Sequence, residues 1–202
     1  MDSLLEKVPG PAMGYVSVIL GELGLFLAYL HFPGYSFLHN MMSELGVGPG
    51  AIFFNWALII SGILAMPFYF HFSRSFEREG NERLIQGALI CSWTSCIFYA
   101  LVGVFPAIKE NALIHLLHGT TAAISLMSGM GYLIFFGVLI WRTKQYHSLQ
   151  AIYSFIVAGI YLLFLLTWLP IVEWTSNFAI TFWILMNATV MVVSKKKQEL
   201  VP

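Results

Sequence analysis

The sequence predicts an all-α, polytopic membrane protein: six transmembrane helices with a short re-entrant or interfacial helix in the first outer loop. Three observations predict it. Of the 202 residues, 58% are hydrophobic and 10% charged, against about 25% charged and about 45–50% apolar in soluble domains. Six separate stretches approach or exceed the roughly 20 largely apolar residues that a bilayer core demands. The basic residues between these stretches fall almost wholly on alternate connections, as membrane insertion requires. No internal repeat, low-complexity tract or soluble domain interrupts the pattern, so residues 1–202 read as one helical bundle.

The elements follow in chain order. The first span, 11–31, begins at Pro11 and stops before Pro33-Gly34. Glu22 lies in its middle and no small-residue cleavage site follows it, which argues against a signal peptide. The second span, 51–72, carries Pro67 as an expected kink near its end. The third, 84–105, stops at Pro106. The fourth, 112–141, is the longest and has length to spare for tilting. The fifth, 149–169, stops at Pro170, and the sixth, 175–193, ends in Lys195-Lys196-Lys197.

Orientation comes from the basic residues. Lys7, Arg74, Arg78, Arg83, Arg142, Lys144, Lys195, Lys196 and Lys197 share one side, and of the 10 Lys and Arg only Lys109 is left for the other. This split predicts a multi-pass protein of the cell membrane with both termini cytoplasmic. A formal net charge of +0 excludes the basic surface that nucleic acid would select. Glu79 and Arg83 are spaced for a helical ion pair in a solvated turn. Cys91 and Cys96, five apart in one apolar stretch, point to different helix faces and read as small core residues.

With the topology in place, the polar residues sort by side. The first outer loop carries His39, Asn40, Ser43 and Glu44 among apolar Phe37, Leu38, Met41, Met42 and Leu45, so it should lie on the membrane surface or dip into it. The fourth span opens on the same side with His115 and His118. Their face continues through Thr121, Ala122, Ser125 and Gly129, a small-residue stripe suited to close helix packing. Both histidines are therefore expected to face the bundle interior and to meet Glu44. Asn55 opens the second span, Glu173 lies in the short third outer loop, and Lys109 is the only cation nearby.

Histidine and carboxylate are ligand types for zinc, so His39, Glu44, His115 and His118 suit a divalent metal site. The same residues also suit a metal-free site or a structural clasp. Glu44, His118 and Ser43 are the candidate catalytic groups, and Asn40, Asn55, Glu22 and Lys109 the candidate substrate contacts. Glu22 stands apart as an acid within a span; such residues usually face other helices and mark function. Thr94, Ser95 or Asn187 would be suitable partners for it.

The stretch Ser43-Glu44-Leu45-Gly46, then Phe54-Asn55 and Gly62, resembles the membrane family called domain of unknown function 998. Val102-Gly103-Val104-Phe105-Pro106 and the histidine-led start of the fourth span, His118 above all, add to the likeness. The family commonly has aspartate where this chain has Glu44, one methylene longer. The resemblance covers most of the chain and implies a multi-pass topology without an assigned activity. A looser likeness to the Frag1/DRAM/Sfk1 group implies lipid handling.

Three functions fit these residues. One is an enzyme acting on a lipid or lipid-linked substrate at the outer membrane boundary, by metal or acid–base chemistry. The scarcity of cations there would favour a neutral or zwitterionic substrate. The second is a small transporter or lipid-binding protein using Glu22. The third is a non-catalytic membrane assembly protein. The partners expected are membrane lipid and a lipid-like small molecule, with no nucleic acid.

Overall fold

The computed structural model describes residues 5–77, 81–143 and 145–200, with side chains up to residue 194. It contains α1 (Gly10–Leu30), a short 3-10 helix η1 (Met42–Gly46), α2 (Ala51–Arg74), α3 (Glu82–Val104), α4 (Ala112–Arg142), α5 (Ser148–Thr167) and α6 (Pro170–Leu200). Among the described residues, six helices are long and apolar enough to cross a membrane. The chain is a multi-pass, all-helical membrane protein. Glu79, the partner read for Arg83, lies outside the described residues together with Arg78 and Lys144.

Local chemistry sets the helix ends. Asn81 and Asn111 cap α3 and α4, their side-chain oxygens accepting from the backbone N–H of Leu84 (3.2 Å) and Ile114 (3.1 Å). His147 and Gln150 cap α5 reciprocally. Pro67 lies within α2, which continues past it to Arg74.

Proline misleads at one boundary. Pro170 was expected to stop the fifth span, with Glu173 in a loop beyond it. Instead α5 ends at Thr167, Trp168 takes a left-handed conformation (φ 50°), and Pro170 opens α6. A proline is well suited to the first helical position, where its missing N–H has no intrahelical partner to lose. The connection shrinks to two residues, and Glu173 moves into the first turn of α6.

The helices pack in chain order into a closed ring, each against the next, with α6 also meeting α1. The two seams of α6 are the sparsest in the ring. At one end an aromatic core joins Phe68, Phe72, Phe76, Phe136, Tyr146 and Trp183. At the other, Leu25, Ala28, Leu45, Phe54, Val102 and Trp174 gather under η1. Apolar side chains such as Ile19, Phe26, Trp56, Ile90 and Leu166 remain exposed on the outside, as a lipid-facing surface requires. Between the two cores the ring encloses a cavity.

Candidate functional site

The cavity has a volume of about 180 Å³, and all six helices and η1 contribute to its lining. Its wall is mostly apolar. Besides several serines, its polar groups include Glu22 from α1, Ser43 from η1, His118 from α4 and Glu173, Asn177 and Thr181 from α6. Four tyrosines, Tyr69, Tyr99, Tyr132 and Tyr161, one from each of α2 to α5, line it as well. Among the described residues, no Lys or Arg lines the cavity.

Glu22 faces other helices, as expected of an acid within a span. Its partners differ from those expected. Asn177 Nδ2 (2.9 Å) and Thr181 Oγ1 (2.6 Å) both donate to its Oε1. Ser95 is instead engaged with Ser125 across the α3–α4 seam, and Asn187 with Gln150 and Trp183. Among the described residues, Glu22 Oε2 carries no hydrogen bond, so this oxygen is available to a molecule in the cavity.

Glu173 was not singled out as a site residue, yet it organises the cavity's η1 end. Its carboxylate accepts from the backbone N–H of Met42 (2.6 Å, Oε2) and of Ser43 (3.3 Å, Oε1). These are the free amides at the start of a helical turn, where a carboxylate is the natural cap. Glu173, Asn177 and Thr181 recur every four residues, so they form one polar stripe on α6. That stripe in an otherwise apolar helix was the signal in the sequence.

The loop between α1 and α2 folds back onto the bundle, but not onto the start of the fourth helix. It docks on α6. Trp174 Nε1 donates to Tyr35 Oη (3.0 Å), and Tyr35 Oη donates to the Met41 carbonyl (2.9 Å). Burial holds the Tyr35 phenol above its ordinary range, so it stays a donor. Phe37 meets the Trp174 ring edge-on at 4.5 Å. Asn40 braces the loop internally: its Oδ1 accepts from Ser36 N (3.0 Å) and its Nδ2 donates to Glu44 (2.7 Å).

The expected metal ligands are not assembled. Among the described residues, no three His, Cys, Asp or Glu side chains come together as a metal-holding group. His39 and His115 are exposed. Three residues along a helix is about 300° of turn, which leaves His115 roughly 60° off the inward face that His118 occupies. The Nδ1 of His118 bonds the Phe105 carbonyl (2.8 Å). Glu44 is held by Asn40 and, at 3.5 Å, by Lys109, so its partner is the lysine and not an imidazole.

Among the other candidates, Ser43, His118 and Glu22 line the cavity, whereas Asn40, Glu44, Asn55 and Lys109 do not. Asn55 holds η1 in place, its Nδ2 donating to the Gly46 carbonyl (3.0 Å). Its Oδ1 is buried without a partner among the described residues.

The residues that carried the family resemblance converge around this end. Leu45, Phe54 and Val102 share one core cluster. A Cβ at Gly46 would lie 2.8 Å from Asn55 Oδ1, and one at Gly62 2.8 Å from the Cys96 carbonyl oxygen. One at Gly103 would meet the Asn55 carbonyl oxygen. These glycines are the points where η1 meets α2 and where α2 meets α3.

The family model described as "Protein of unknown function (DUF998)" matches residues 15–190. No curated protein and no solved structure matches the chain.

Proposed function

The chain belongs to the DUF998 family, and we propose that its activity is the binding or transport of a small, mostly apolar molecule in the cavity among its helices. The observation that carries this is the cavity itself, about 180 Å³ and lined by Glu22, whose two hydrogen bonds both fall on Oε1. A cavity of about 150 Å³ already holds a benzene ring. The occupant is therefore ring-sized or a chain end, not a whole phospholipid. Few, well-placed polar groups in an apolar pocket are what small-molecule recognition uses.

η1 serves as the lid. Met42 and Ser43 line the cavity, and the buried Glu173 holds their amides. The charge split of nine basic residues against one supports an orientation with this lid on the outer face of the cell membrane and both termini in the cytoplasm. An impermeant thiol reagent on intact cells should then label Glu110→Cys and spare Gln145→Cys. The opposite pattern overturns the orientation.

The test of the binding reading uses the full chain in neutral nanodiscs. Equilibrium dialysis with ring-sized probes (2-phenylethylamine, 2-phenylethanol and phenylacetate) should show saturable binding of at least one. Ala122→Phe, which fills the cavity from α4, should abolish it. Absence of saturable binding by all three overturns the reading.

An acid–base enzyme is the second reading, because Ser43 and His118 line the same cavity. Its mark would be chemical change of a bound probe that His118→Ala stops while binding persists.

A further inference from the structure

We propose that the cavity selects a small monocation, a protonated amine on an apolar ring or short chain, with Glu22 as its counter-ion. This rests on the binding reading above and names its ligand class.

An ionised carboxylate inside a membrane protein is stable only with compensating positive charge or dense hydrogen bonding. Two carboxylates line this cavity and no Lys or Arg does, among the described residues. Glu173 is compensated by two backbone amides of η1. Glu22 is compensated on one oxygen only, since Asn177 and Thr181 both donate to Oε1. Oε2 is left to accept from a donor in the cavity, and a cationic one offsets its charge as well.

Asn177, which bonds Glu22, follows Glu173 by one turn of α6, about 6 Å of axial rise. The two carboxylates therefore occupy successive levels of one polar stripe. An ammonium at Glu22 Oε2 would also lie in the field of Glu173. An anion there would meet both carboxylates at once.

The wall decides what carries the charge. A bare inorganic cation such as calcium takes roughly 6–8 oxygen ligands, whereas most of this wall is carbon. Tyr69, Tyr99, Tyr132 and Tyr161 line it, and tyrosine rings attract cations through their quadrupoles while offering apolar surface. A cation with an apolar body matches both features, and the volume limits that body to about one ring.

Three near-isosteric probes separate the ligand class from the binding reading. In nanodisc dialysis, 2-phenylethylamine should bind at least about tenfold more tightly than 2-phenylethanol, the scale of one charge-assisted hydrogen bond. Phenylacetate should bind most weakly. Glu22→Gln should bring the amine down to the level of the alcohol and leave the alcohol unchanged. Amine and alcohol binding equally to wild type, or the amine preference surviving Glu22→Gln, overturns the amine assignment while the cavity reading stands. No binding by any probe overturns both. Should Glu22→Gln fail to fold, Thr181→Val is the second variant: it removes one bond to Oε1 and should shift amine affinity but not alcohol affinity. An equal effect on both ligands overturns the assignment.

Discussion

Thr181 donates a 2.6 Å hydrogen bond to Glu22, joining the last helix of the ring to the first. Asn177 adds a second bond of 2.9 Å to the same oxygen. Below them on the same seam, Tyr15 and Thr189 are bonded at 2.7 Å. The sparse α1–α6 contact is thus pinned by polar bonds, which in a bilayer supply association that the hydrophobic effect does not.

Glu22→Gln should fold as wild type, because the amide oxygen still accepts from Asn177 and Thr181. Glu22→Leu should lose about 1–3 kcal/mol, since both donors are left unpaired. Thermal unfolding of the detergent-solubilised protein measures the difference. A leucine variant at or above the wild-type midpoint would show that the pin contributes nothing.

Removing Glu173 should loosen η1. In a Ser43→Cys background, Glu173→Ala should raise the thiol labelling rate about tenfold or more, as two buried amides lose their acceptor. Lys109→Ala should change it little. Its 3.5 Å contact to Glu44 has a lysine side chain 72% exposed, and such surface pairs contribute at most about 1 kcal/mol. A larger effect from Lys109→Ala than from Glu173→Ala would sink the assignment of Glu173 as the latch.

Glycines should divide by what surrounds them. Gly103→Ala places a methyl group against the Asn55 carbonyl and 3.1 Å from Ile59 and Leu58 side-chain carbons. Backbone on α2 cannot yield cheaply, so a loss of about 1–3 kcal/mol is expected. Gly159→Ala meets nothing within 4 Å and should be neutral or slightly stabilising. The same thermal assay checks both, and equal midpoints for the two variants would contradict the seam geometry.

Tyr35 gives the lid an alkaline limit. Its phenol is raised by burial, so the folded state prefers it protonated. The resulting stability is full below the ordinary phenol range and declines as pH rises above that range toward the folded value. Wild type should therefore lose stability in alkali more steeply than Tyr35→Phe. Parallel pH profiles for the two proteins would show that Tyr35 is not the responsible group.

The membrane topology was legible because hydropathy and charge are local properties. Six spans and their order can be read without knowing what packs on what. The inward face of Glu22 was legible for the same reason, through its cost in lipid. Its partners were not, since Asn177 and Thr181 lie far along the chain and only ring closure brings them to it. The angle between His115 and His118 was not legible as a separation: they are near in sequence but do not share the inward face. Glu173 was missed because Pro170 can end one helix or begin another, and the sequence alone favoured ending. The tyrosines carried a signal that went unused, for Tyr69, Tyr99, Tyr132 and Tyr161 sit within spans and not at the interfaces where tyrosine is enriched.

The closing position of α6 also has a consequence for biosynthesis. Chain order makes α6 the last wall of the ring to be synthesised, and it closes against both α5 and α1. Until then Glu22 has neither Asn177 nor Thr181, and η1 lacks the carboxylate that caps Met42 and Ser43. A nascent chain ending near Thr167 therefore holds an unpartnered acid within the bilayer and a loop with nothing to dock on. Insertion of one helix relieves both at once, so ring closure and seating of the lid become a single event.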